Sequence, residues 1–167
     1  MRILIVEDEP AAGELIQMYL SDYGQCDLAA NGKEALAMVE NAIACGRPYD
    51  LACMDVMMPE MDGMEALKLI RRLEFRYFDD GLAGMKIIMI TAKDTAADIT
   101  AACRSGAEGY ISKPFTRKQL LQQLEKLGLF NEPDSADNDA DTEVRLYTEL
   151  LTRPPIRYHT FWRRTSF

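Results

Sequence analysis

The side chains with the most chemical potential are Glu7, Asp8, Asp55, Thr91 and Lys113, with Glu9 directly after the first acid pair. Each stands at or just past the end of a short apolar run. ILIV (3–6) leads into Glu7-Asp8-Glu9, and LACM (51–54) into Asp55. KIIMIT (86–91) ends on Thr91, and GYIS (109–112) leads into Lys113. If these runs are parallel strands, their carboxyl ends share one sheet edge, and three or four acids, a hydroxyl and an ammonium meet there. Crowded carboxylates repel and raise one another's pKa, and a bound divalent cation relieves that repulsion. Oxygen-only ligands point to Mg²⁺ rather than Zn²⁺. No Cys/His cluster competes, since the only histidine is His159. A Thr and a Lys opposite a metal can bind phosphoryl oxygens. The chemistry suggested is a carboxylate nucleophile that accepts a phosphoryl group, with metal, hydroxyl and ammonium spreading the charge.

The elements that must position these residues follow from hydrophobic period and punctuation. Runs at 3–6, 49–55, 86–91 and 109–112 are apolar on nearly every residue, as suits strands covered on both faces, and 26–30 is a weaker strand. Pro10 opens a helix whose face carries Ala12, Leu15, Ile16 and Tyr19, with Gly24 as its stop. Asn31 and Glu34 form a capping-box pattern before Ala35, Met38, Val39 and Ala42, and Gly46 stops that helix. A third helix runs from Met64, with Leu67 and Ile70 on one face. Asp94 is placed to cap a fourth through Cys103, with a thin stripe of Ile99, Ala102 and Cys103. Thr116 and Gln119 box the start of a fifth, striped by Leu120, Leu124 and Leu127 and ended by Gly128. Five strands alternating with five helices predict an α/β fold, a parallel sheet with helices on both faces.

With 167 residues, 48% hydrophobic, the chain can build one full core but not two large domains. A net charge of −8 argues against a broad nucleic-acid surface. Cysteines 26, 45, 53 and 103 show no metal or redox spacing and read as small apolar residues in a reducing compartment. No stretch approaches the ~18 apolar residues of a membrane span, and the amino terminus runs straight into a strand without an apolar leader. The expectation is a cytoplasmic protein without a membrane partner.

Four blocks together resemble the receiver domains of two-component response regulators: Glu7-Asp8, the MDVMMPEMDG block around Asp55, Ile90-Thr91-Ala92, and Tyr110 through Phe115 (YISKPF). The resemblance covers roughly residues 1–130 and implies a flavodoxin-like, doubly wound sheet of order 2-1-3-4-5. By resemblance, Asp55 is the phosphoacceptor, and Glu7, Asp8, Asp55 and the backbone carbonyl of Met57 form the Mg²⁺ shell. Thr91, Lys113 and the backbone N–H of Ala92 contact the phosphoryl group. Glu9 lies outside the matched pair and reads as first-turn charge on the helix dipole. Thr91 and Tyr110 form the switch, and the Lys113–Pro114 bond is expected to be cis. Gly63 is expected at a positive-φ position of its loop. The implied partners are a sensor histidine kinase or phosphotransfer protein and a downstream protein target, with a second copy of the chain as a further candidate. The implied output surface is the fourth helix, fifth strand and fifth helix. The resemblance implies a module that catalyses only its own phosphorylation and dephosphorylation, not a turnover enzyme. The resemblance also implies that Met57 and Lys93, two residues past Asp55 and Thr91, border the route of the hydrolytic water, and their long side chains predict slow phosphate loss.

Two other classes fit parts of the pattern. A hydrolase of the haloacid-dehalogenase type needs a second Asp two residues after the nucleophile, where this chain has Met57. A flavin-binding flavodoxin needs a Ser/Thr/Gly phosphate loop after the first strand, where this chain has three acids.

The chain departs from the resemblance in two places. Between Gly63 and Met85 it is longer than receivers need, and Phe75, Tyr77 and Phe78 are expected to pack inward, the alternative being an added contact surface. Past Phe130, residues 131–143 carry six acids and no base and read as a solvated linker. Residues 144–167 read as a short tail, partly helical or disordered, with Val144, Tyr147 and Leu151 on one face; the alternatives are a segment that docks on the receiver or a sister chain, and a basic-aromatic arm for an anionic partner. The tail is too short for a winged-helix domain, so the resemblance is to a stand-alone receiver.

Overall fold

The computed structural model describes residues 1–78, 84–92 and 95–130. Five parallel strands, β1 (Arg2–Val6), β2 (Gln25–Ala29), β3 (Leu51–Met54), β4 (Lys86–Thr91) and β5 (Gly109–Ser112), form one sheet in the order β2-β1-β3-β4-β5. Five helices connect them: α1 (Pro10–Leu20), α2 (Gly32–Ala44), α3 (Gly63–Tyr77), α4 (Ala96–Arg104) and α5 (Arg117–Lys126). The architecture and the strand order expected from the sequence both hold.

Strand alternation divides the core into two layers. Ile3, Ile5, Leu51, Cys53, Ile88 and Ile90 pack with Leu15 and Ile16 of α1 and Leu120 and Leu124 of α5. Leu4, Val6, Ala52, Met54, Ile87 and Met89 pack on the other face with Val39 of α2 and Leu67 and Ile70 of α3. All four residues of β3 are inaccessible to solvent. Burying each large aliphatic chain contributes roughly 1.5–3 kcal/mol, which locks the central register. The edge strand β2 is less covered, with Leu28 exposed. Only Ala102 of α4 is buried, in keeping with its thin stripe.

Several local expectations need correction. Helix α1 ends at Leu20 rather than at Gly24, because the chain must turn in time for the Gln25 N–H to donate to the Met1 carbonyl at 2.9 Å. Thr95 caps α4, accepting from the Asp98 N–H, while Asp94 lies outside the described residues. Phe75 and Tyr77 do not pack inward: they are 86% and 52% exposed, because the buried stripe of α3 runs through Leu67, Ile70, Leu73 and Glu74. Of the cysteines only Cys53 is buried, and Cys45 and Cys103 are exposed. The capping box of Thr116 and Gln119 is present in both directions. At α2, Asn31 accepts from the Glu34 N–H, but the Glu34 carboxylate reaches back to the Ala30 N–H instead of that of Asn31. Residues 131–143 and 144–167 lie outside the described residues. Among those described, no helix is long and apolar enough to cross a membrane.

Candidate functional site

The register of β1 against β3 builds the acidic pocket. Val6 lies opposite Met54, so the next residues, Glu7 and Asp55, leave the sheet side by side. The Asp55 N–H donates to the Val6 carbonyl at 2.9 Å, and the Glu7 N–H to the Ala29 carbonyl at 3.0 Å. Both acids are buried, whereas Asp8 is exposed. One carboxylate oxygen from each of the three falls within 4.8 Å of the others.

The pairing of β4 with β5 brings the base. Thr91 lies opposite Ser112, and the Lys113 N–H donates to the Thr91 carbonyl at 2.8 Å. The Lys113 ammonium donates to Glu7 Oε2 and to Asp55 Oδ2, each at 2.6 Å. The Lys113–Pro114 peptide is cis, as expected. Burial pushes the Glu7 carboxyl above its ordinary range, although Lys113 pulls the other way. Burial alone would lower the Lys113 pKa; the hydrogen bonds and charges of Asp55 and Glu7 override it and raise the value. Three carboxylates facing one ammonium leave an excess of negative oxygen. That donor set fits a hard divalent cation such as Mg²⁺ and not a thiolate- or imidazole-seeking metal.

The loop after β3 holds Asp55 in place. The Met57 N–H donates to Asp55 Oδ1 at 3.0 Å, and the Met57 side chain is exposed. Gly63 is not at positive φ, contrary to expectation; Glu60 takes that conformation, at φ 64°. The need for glycine at 63 is steric, since a Cβ there would lie 1.9 Å from the Asp55 carbonyl oxygen.

Thr91 is wholly buried at the end of β4, followed by an exposed Ala92. Tyr110 is half-buried and packs in the layer that contains Ala102 and Ala107, on the α4 side. Glu9 is the residue preceding α1, with no side-chain cap bond. Lys93 lies outside the described residues. The structure therefore gathers Glu7, Asp8, Asp55 and Lys113 directly and aligns Thr91 with them through the backbone.

Sequence reasoning did not single out Arg71. Its guanidinium donates to the Gly106 carbonyl at 3.0 and 2.8 Å, to the Met85 carbonyl at 2.8 Å, and to Glu74 and Glu108. Glu74 is buried and also accepts from the Met85 N–H. The signal available was the Arg71–Glu74 spacing, i to i+3 on one helix. A groove of about 310 Å³ lies at the amino-terminal ends of the strands among Tyr49, Asp50, Met85 and Lys86, away from the acids.

Fold and pocket together define a class: a doubly wound parallel α/β protein with buried acids and a lysine at the carboxyl ends of its strands. Residues 3–125 match the family model of the response regulator receiver domain, and the chain belongs to that family. Receiver domains as a family are phosphoacceptor signalling modules rather than classical enzymes, and membership of it speaks against the hydrolase and flavodoxin alternatives. The response regulator MprA of Mycobacterium avium is 34% identical over 165 residues, 98% of this chain and 65% of the relative. The chain thus spans about 65% of that relative's length. A CheX–CheY–BeF3–Mg²⁺ complex from Borrelia burgdorferi contains a similar fold, with TM-score 0.67 and 25% identity over 77% of this chain and 89% of that one. A CheY-like receiver domain from Methanospirillum hungatei gives TM-score 0.64 and 28% identity over 86% of this chain and 96% of its own.

Proposed function

We propose that Asp55 accepts a phosphoryl group from a phosphohistidine on a sensor kinase or phosphotransfer protein. The observation that carries this reading is the Lys113 ammonium held 2.6 Å from both Asp55 and Glu7, with Asp8 beside them. An Asp55 carboxylate oxygen attacks phosphorus in line; the P–O bond forms as the P–N bond breaks, and the imidazole departs and takes up a proton. The Met57 N–H orients the carboxylate through its other oxygen. Lys113 moves from its carboxylate partners to the incoming phosphoryl oxygens, and Thr91 and the Ala92 N–H supply further contacts. Glu7, Asp8, Asp55 and the Met57 carbonyl would hold Mg²⁺, which when bound neutralises charge on the transferring group.

The product adds about −1.5 to −2 charge at the sheet edge. Thr91 is drawn toward it, and Tyr110 fills the vacated space. Helix α4, anchored by a single buried residue, is the element that yields most easily. The surface of α4, β5 and α5 then changes for a downstream protein target. Residues 1–130 form the receiver unit in this reading, with 131–143 as linker and 144–167 as tail. Phosphate loss is slow, because the Met57 side chain shields the water's route.

Incubation with Mg²⁺ and acetyl phosphate, followed by intact-mass analysis, tests the assignment. The expected result is one base-labile phosphoryl adduct that does not form when Mg²⁺ is omitted and is absent in Asp55→Asn. An adduct that persists in Asp55→Asn overturns it. Following the same adduct over time reads its lifetime, and decay within seconds contradicts the shielding role.

A further inference from the structure

The molecule carries a net charge of −8, yet the stretch 68–77 (KLIRRLEFRY) holds four bases and one acid. Arg71 and Glu74 are committed to the network beneath the helix. Lys68, Arg72 and Arg76 remain, all exposed, with no ion pair among the described residues. They recur at i, i+4 and i+8, so they form one ridge, and like charges at that spacing destabilise a helix that has no anionic partner. Arg76 in the last turn suits the negative end of the helix; Lys68 and Arg72 have no such reason. One acid, Glu40 of α2, shares the groove lined by Arg72 and Arg76. Phe75, 86% exposed, stands seven residues past Lys68 and three past Arg72, on the same face of the helix, giving an apolar shelf beside the charges.

We propose that this basic-aromatic strip of α3 (Lys68, Arg72, Phe75 and Arg76) is the docking surface for the chain's own acidic segment, residues 131–143. That segment, NEPDSADNDADTE, has six acids and no base. Its starting point is next to the strip's end: Leu129 and Phe78, the residue that closes α3, wall the same groove. Thirteen residues reach up to about 45 Å when extended. The helix from Lys68 to Arg76 spans only about 12 Å. Exposed ion pairs are individually weak. Here they act together, because the tether holds the acids at high effective concentration over the strip. This inference does not depend on phosphoryl transfer at Asp55.

Zero-length carbodiimide cross-linking of the full chain, with half the chains ¹⁵N-labelled, tests it. At low salt, Lys68 is expected to join carboxylates within 131–143 of the same chain. The yield should fall at least about fivefold in roughly 0.5 M NaCl, where screening shortens to a few ångströms. Arg72→Glu/Arg76→Glu should cause a similar loss, and Lys33→Glu/Lys118→Glu, an equal charge change elsewhere, should not. Circular dichroism verifies that the variants fold, and the salt titration of the natural chain stands without them. Absence of the Lys68 link at low salt, links only between labelled and unlabelled chains, or a yield indifferent to both salt and charge reversal would overturn the proposal.

Discussion

The Lys113 ammonium lies 2.6 Å from Asp55 Oδ2 although 58 residues separate the two in the chain. The same nitrogen touches Glu7, 106 residues away. One ammonium therefore ties the ends of β1, β3 and β5 across the sheet edge.

Replacing that lysine exposes its two roles. In Lys113→Ala two buried carboxylates face each other without their cation, which should destabilise the apo protein by about 1–3 kcal/mol. Added Mg²⁺ should recover much of that loss by binding the folded state. Denaturant midpoints with and without Mg²⁺ check this; a midpoint that stays unchanged in the absence of Mg²⁺ would show that the ion pairs contribute nothing.

Glu60 holds a left-handed backbone conformation at φ 64°, disfavoured for any residue with a Cβ. Glu60→Gly should stabilise the protein by roughly 0.5–1 kcal/mol, the relief of strain being partly offset by chain entropy. Thermal unfolding reads the difference, and a lower melting temperature would mean that the side chain contributes more than the strain costs.

Arg71→Leu should cost more than a surface change. It strands the buried Glu74 carboxylate and the Gly106 and Met85 carbonyls, a loss of about 2–4 kcal/mol. Amide exchange should quicken between α4 and β5, where Gly106 loses its anchor. Arg71→Lys should not restore protection, because one ammonium cannot reproduce the forked contacts. Full rescue by lysine would assign the effect to charge alone.

Tyr49 links stability to alkaline pH. Burial, then its hydrogen bond to Asp27 at 2.8 Å, push the phenol up to about 12. The folded chain thus holds this proton more tightly than the unfolded chain, whose tyrosines ionise near ~10. The contribution is complete below pH ~10 and is lost as pH rises toward 12. Urea midpoints across that window should fall more steeply in the natural protein than in Tyr49→Phe. Parallel curves would remove Tyr49 from the account.

The strands, the alternation with helices and the acids, hydroxyl and ammonium at their ends were legible in the sequence. An apolar run closed by a polar residue reports a buried strand and its terminus locally. Strand order came from likeness to a family, since periodicity carries no information about neighbours. Helix caps were legible where a side-chain oxygen and the N–H that donates to it lie three residues apart, as at Thr116 and Gln119. Inward packing of Phe75 was misjudged because composition says that an aromatic prefers burial, while the phase of α3 turned this one to solvent.

What the sequence determined alone was the set of groups and the strand ends that carry them. Only the tertiary structure decided which of them touch. The register of Val6 against Met54 and of Thr91 against Ser112 placed Glu7, Asp55 and Lys113 within hydrogen-bonding distance. It also made Gly63 necessary through the nearby Asp55 carbonyl and joined Arg71 to a turn 35 residues away. Such contacts arise from strand pairing and helix phase across long loops, and no local pattern of residue types encodes them.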